Sequence, residues 1–128
     1  MMDERSAPRL RSFGAALDRL DDALAQPKTE WTRDSAIQRF EFTFELAWKA
    51  VATLAEAQGV DARSPREAFM RAFALGWIDE EDVWLRMLDD RNRTTHTYNA
   101  AVTEEIFTRL PAYAGAPRAL SKALSSVD

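Results

Sequence analysis

The 128-residue chain contains no cysteine. Disulfides, thiolate metal sites and thiol catalysis are therefore excluded, and redox chemistry does not fix a compartment. No apolar run approaches the roughly 18 residues that span a membrane. Nothing behind Met1-Met2-Asp3-Glu4-Arg5 resembles the apolar core of a signal peptide, so the cytoplasm is the default expectation. Four glycines and five prolines leave little room for hairpins, and β-branched residues are sparse. A basic excess is missing too: the net charge of −4 argues against a broad non-specific nucleic-acid binder, though not against a local basic site. Glycine-rich phosphate loops, zinc-ligand spacing and a Ser-His-Asp set are all absent. No short basic recognition helix follows a glycine turn, which leaves a helix-turn-helix reading weak. There is one histidine, His96.

What is present is helical periodicity. Hydrophobic residues make up 46% and charged residues 30%, a composition that suits one globular domain over 1–128. Leu10, Phe13, Leu17, Leu20 and Leu24 recur at steps of three and four, predicting a helix from about Glu4 to Ala25 that Pro27 ends. A second helix is expected up to Gln58, capped by Thr32 or Asp34 and stopped by Gly59. Its main stripe is Ile37, Phe40, Phe44, Ala47, Trp48 and Val51. Phe42 and Leu46 add a second stripe, which suits a central helix that also touches a partner chain. Glu41, Glu45 and Lys49 lie at i, i+4 spacing and read as a solvated face rather than as catalytic carboxylates.

Ser64-Pro65-Arg66-Glu67 is a capping-box signature for a third helix to about Leu75, with Ala68, Phe69, Ala72 and Phe73 on its buried side. Asp79 is the expected cap of a fourth helix, whose apolar stripe is Trp84, Met87 and Leu88. One turn further on, the stripe reaches Arg91, a cation at a core or interface position. Thr94-Thr95-His96-Thr97 is a poor helix former, which sets the end near Arg93 or Thr94. Asn99 can cap a last helix carrying Val102, Ile106, Leu110 and Tyr113, kinked or shortened at Pro111. The domain core is expected over about 10–113, with a weakly ordered tail beyond it. The expected fold is all-α: an antiparallel up-and-down bundle of four to five helices.

The densest reactive group is Arg91-Asn92-Arg93-Thr94-Thr95-His96-Thr97-Tyr98-Asn99. In an unbroken helix, five residues turn roughly 500°, leaving Arg91 and His96 about 140° apart. They converge only if the helix breaks after Arg93 or if two copies meet at a two-fold axis. A convergent arginine and histidine suit phosphodiester chemistry on RNA. The imidazole moves a proton near neutral pH, the guanidinium holds phosphate, and the 2′-hydroxyl is a built-in nucleophile. No metal or other cofactor is called for. Asn92 can orient the phosphate or the histidine, and Arg86 and Arg93 can supply a local positive field. The plainer alternatives are a hydrogen-bonded structural histidine, an ion pair of Arg91 with Asp89 or Asp90, and a Tyr98 that closes an apolar stripe.

Arg91 to His96 resembles the Arg-x4–6-His signature of HEPN domains (higher eukaryotes and prokaryotes nucleotide-binding), and with Tyr98 it extends to Arg-x4-His-x-Tyr. The stretch from Arg39 to Lys49, rich in Phe and Glu, resembles the second helix of nucleotidyltransferase substrate-binding proteins of that group. The resemblance covers about Leu10 to Tyr113. It departs at Ala100, where relatives often carry an acidic residue. It implies a homodimer with the motif at a shared cleft and a minimal nucleotidyltransferase partner encoded nearby. It further implies a metal-independent ribonuclease toxin in which Arg91 and His96 carry cleavage. The partner would silence it by transferring AMP to Tyr98. The alternative within the same resemblance is a non-catalytic subunit that binds a nucleotide or substrate for the nucleotidyltransferase.

Overall fold

A computed structural model describes residues 2–96 and 99–127, without the side chain of His96. The described residues form six α-helices and one 3₁₀ turn, with no strand among them. The helices are α1 (Ser6–Leu24), α2 (Glu30–Ala57), α3 (Pro65–Ala74), α4 (Glu81–Arg93), α5 (Ala100–Tyr113) and α6 (Gly115–Ser125). The 3₁₀ turn is Thr94–His96. None of these helices is long and apolar enough to cross a membrane.

Helix α2 is central, as its two apolar sides require. Helix α1 runs along it, and α3, α4, α5 and α6 each touch it. Phe40, Phe44, Ala47, Ala50, Val51 and Leu54 are buried along α2. Phe44 meets Phe69 of α3 at 5.4 Å between ring centroids, and Phe69 stacks on Trp84 of α4 at 4.4 Å. These aromatic contacts fix where the start of α4 sits, and through it the motif at its far end.

The local rules explain most boundaries, with four corrections. First, α2 starts earlier than expected: Thr29, not Thr32 or Asp34, is the cap. The Thr29 hydroxyl accepts the Thr32 N–H at 3.0 Å, and the Thr32 hydroxyl accepts the Thr29 N–H at 2.7 Å. Two hydroxyls thus take the two roles of a capping box. Second, α4 is preceded by Glu80 with no side-chain cap, in place of Asp79; Glu81 and Asp82 in its first turn complement the helix dipole instead. Third, Phe73 lies on the outer side of α3 and is exposed, while Ala68, Phe69 and Ala72 are buried. Fourth, the segment after Tyr113 is not a loose tail. Pro111 removes a backbone donor near the end of α5, the chain turns at Ala114, and α6 puts Pro117, Leu120 and Leu124 into the core. The bundle therefore has one helix more than the four to five expected. Ser64 caps α3 by accepting the Glu67 N–H at 3.1 Å, as its spacing predicts. Gly59 and Gly76 take φ of +78° beyond α2 and α3, where a side chain would be strained.

Candidate functional site

Helix α4 ends at Arg93, inside the window expected. Two threonine hydroxyls add to the hydrogen bonding at the helix end, where the Thr94 N–H already reaches the Arg91 and Asp90 carbonyls. Thr94 donates to the Arg91 carbonyl at 2.5 Å and Thr95 to the Asn92 carbonyl at 3.0 Å. The 3₁₀ turn then carries the backbone to His96. The break expected between Arg91 and His96 is therefore present. The His96 side chain, Thr97 and Tyr98 lie outside the described residues, so the AMP-acceptor position expected at Tyr98 is not placed. Asn99 follows and caps α5, its side-chain oxygen accepting the N–H groups of Ala101 (2.9 Å) and Val102 (3.3 Å).

Arg91 is about one-third exposed and points across to α2. Its Nη2 donates to Glu45 Oε2 at 2.6 Å, and its Nη1 to Asn92 Oδ1 at 3.3 Å. The face of α2 carrying Glu41 and Glu45 is not the solvated face the sequence predicts. Both residues are half-buried and face Arg91. Burial pushes the Glu41 carboxyl up, against the opposing pull of the Thr94 hydroxyl and the Arg91 guanidinium. Burial acts on Glu45 too, but the Trp48 indole N–H, Arg91 and Lys49 together hold it below the ordinary carboxylate range. That indole N–H is buried and points no hydrogen bond of good geometry at any acceptor among the described residues. One carboxylate thus orients the arginine, while burial raises the pKa of its neighbour. The i, i+4 spacing of Glu41 and Glu45 is visible in sequence. Their facing Arg91 is not.

The remaining cations of the motif are engaged elsewhere. Arg86 is exposed and pairs with Asp82 at 2.7 Å. Arg93 pairs with Glu105 at 2.6 Å and lies 3.6 Å from Asp90. The structure therefore gathers Arg91 and Asn92 with Glu41, Glu45 and Thr94, while Arg86 and Arg93 make their pairs with other acids. Among the described residues no three potential metal ligands converge.

Asp90 reads in the sequence as an ordinary acid beside Arg91. In the structure it is buried, and its carboxylate accepts from Arg109 Nε (2.8 Å), Arg109 Nη2 (2.6 Å) and the Tyr113 hydroxyl (2.6 Å). Burial raises its pKa, but these donors more than offset that and hold it below the ordinary aspartate value. Burial and Asp90 together push the Tyr113 phenol up to about 12. The cluster ties the last turn of α4 to the second half of α5. Its sequence signal is faint: a carboxylate three residues after buried Met87, and Arg109 and Tyr113 four apart on α5.

The family model described as "Nucleotidyltransferase substrate binding protein like" matches residues 8–126. A protein of Thermus thermophilus, known from its crystal structure, is 37% identical. It aligns with a TM-score of 0.82 over 88% of this chain and 98% of that one. A Haemophilus influenzae protein, reported to reveal the fold of a substrate binding domain of a nucleotidyltransferase, aligns at 0.81 with 24% identity, over 91% of this chain and 99% of that one. A Shewanella oneidensis HEPN toxin, solved tri-AMPylated in complex with MNT antitoxin, aligns at 0.74 with 13% identity, over 98% and 99%. The latter two likenesses are of fold. Comparison with curated proteins returns no match. The family match takes in all six helices apart from the first two residues of α1, and the Thermus relative shares more than a third of its residues: the chain belongs to the nucleotidyltransferase substrate-binding protein-like family, on a HEPN-like fold.

Proposed function

We propose that this protein is a HEPN toxin: a metal-independent endoribonuclease, active as a homodimer and silenced by a minimal nucleotidyltransferase that adenylylates Tyr98. The observation that carries the reading is Arg91, held on Glu45 and still part-exposed, at a helix end that breaks into the turn leading to His96. In the proposed step, His96 takes the proton of an RNA 2′-hydroxyl. The 2′-oxygen bonds to the adjacent phosphorus, and the 5′-oxygen leaves with a proton from the protonated His96 of the partner subunit or from water. A 2′,3′-cyclic phosphate and a 5′-hydroxyl remain. Arg91 stabilises charge on the phosphoryl oxygens. Silencing follows the same electrostatics. The Tyr98 oxygen attacks the α-phosphorus of ATP in the partner's site and pyrophosphate leaves. The added anion then lies two residues from His96 and repels substrate. The tri-AMPylated state and MNT complex of the Shewanella protein support carrying this partner class across.

A second reading is favoured by the two carboxylates beside Arg91, which make the site less welcoming to a polyanion. On it the chain is a non-catalytic subunit that presents a nucleotide to the nucleotidyltransferase. Incubation of the purified, unmodified protein with RNA in chelator separates the two. The ribonuclease reading expects cleavage that His96→Ala and Arg91→Ala each reduce by about a hundredfold or more with unchanged helical circular dichroism. Intact RNA with Tyr98 shown unmodified by mass spectrometry sinks it.

A further inference from the structure

Glu45 serves two cations. Its Oε2 receives Arg91 at 2.6 Å, and its Oε1 lies 3.4 Å from Lys49 Nζ. Lys49 is one turn further along α2, and beyond it a cleft of about 240 Å³ opens between the start of α1, α2 and the loop before α3. Its lining includes Arg5, Arg9, Trp48, Lys49, Glu56 and Asp61. The acids there are already matched: Glu56 pairs with Arg5 at 3.0 Å, and Asp61 with Arg63 at 2.7 Å. Arg9 makes no ion pair among the described residues. The Arg91–Glu45–Lys49 trio carries one surplus positive charge, and Arg9 adds a second. Beside them Trp48, half-buried and packed on the core, contributes the part of its side chain that lines the cleft. Elsewhere the motif's cations are committed, so this is where the molecule keeps positive charge next to Arg91 despite being acidic as a whole.

We propose that this cleft is a nucleotide subsite, in which Trp48 stacks a base while Arg9 and Lys49 hold the attached phosphate. Lys49, at the cleft's near edge, lies one helical turn, about 6 Å along α2, from the carboxylate that orients Arg91, and the lining continues along α2 to Glu56. A strand with one phosphate on Arg91 thus places a neighbouring nucleotide in the cleft. Stacking on an aromatic ring needs an unpaired base, which selects single-stranded RNA over duplex. The inference rests on the ribonuclease reading for the phosphate at Arg91, but its own test does not require cleavage.

The test is fluorescence anisotropy with the full-length, unmodified protein and a labelled single-stranded oligonucleotide carrying 2′-O-methyl riboses, which cannot be cut. Arg9→Ala/Lys49→Ala should weaken binding about tenfold and flatten the salt dependence by about 0.7 log units per decade, the loss of one phosphate contact on a single strand. Both side chains are away from the core, and melting curves check that the variant folds. Equal affinity and slope for wild type and variant overturn the subsite, even if wild type cleaves RNA. Cleft-dependent binding of this oligonucleotide by an unmodified protein that leaves ordinary, cleavable RNA intact keeps the subsite and sinks the ribonuclease reading. AMP binding as tightly as the oligonucleotide overturns the strand path in favour of a free-nucleotide site. No oligonucleotide binding by wild type overturns both proposals.

Discussion

At the scale of single residues, the decisive feature is a carboxylate adjoining the motif arginine. Asp90 is buried and accepts three short hydrogen bonds, so removing it leaves the Tyr113 hydroxyl without its acceptor and Arg109 with Glu105 alone. Breaking a fully buried pair costs about 3–5 kcal/mol. Arg109 is about a third exposed, and water recovers part of that, so Asp90→Ala should lose about 2–3 kcal/mol in urea unfolding. The linkage has a definite sign. The folded-state pKa of Asp90 lies below the ordinary value of 3.8, so its stabilisation is complete above that pH and fades as pH falls through the depressed value. Asp90→Asn should therefore be less stable than wild type at neutral pH, and the gap should narrow in acid. A gap that is constant from neutral pH to below 3.8 would contradict the clamp. None of this is legible in the sequence. There Asp89 and Asp90 are equivalent neighbours, and only the approach of α5 makes one a buried anchor and leaves the other exposed.

At the scale of elements, local chemistry locates helices well and their partners poorly. The periodic stripes of α1 and α2, the Ser64 and Asn99 caps and the glycine stops are all readable. Each depends on residues within one turn of each other. The α2 cap is ambiguous because threonine at both Thr29 and Thr32 satisfies the same rule, and the choice rests on where the chain leaves α1. Helix α6 is hidden because Pro117 and the serines around position 125 look like punctuation. Yet Pro117 sits in the first turn of α6, where a missing N–H costs nothing, and Leu120 and Leu124 face inward. This helix is integral to the core, so Leu124→Ala should cost about 2–5 kcal/mol by thermal or urea melts. A change within about half a kcal/mol would restore the loose-tail picture.

At the scale of the whole molecule, the exposed apolar residues bear on the proposed homodimer. Phe42 is 57% exposed on the second stripe of α2, beside half-buried Leu46 and a groove against α1. A bulky apolar residue left in water on a central helix suits a surface that a second copy covers. Sedimentation equilibrium should return a dimer for wild type. Phe42→Asp should shift it toward monomer with the helical circular dichroism intact, since the side chain supports no core contact. A wild-type monomer at micromolar concentration would remove the shared-cleft mechanism, and with it the second histidine as proton donor.

The amino-acid order alone determined the all-α class, the approximate helix ends and the arginine-to-histidine motif with its break. Each follows from spacings of three to five residues and from the chemistry of side chains close in sequence. Tertiary structure decided everything that joins distant residues. Glu45, 46 positions before Arg91, became its partner. Glu41 became a half-buried carboxyl facing Arg91, and Asp90 a buried clamp. Arg86 and Arg93, expected as phosphate ligands, sit in ion pairs with Asp82 and Glu105. The reason is physical: a helix face is specified by periodicity, but whether it meets water, an acid or a cation depends on which helix packs against it. No local pattern encodes that choice.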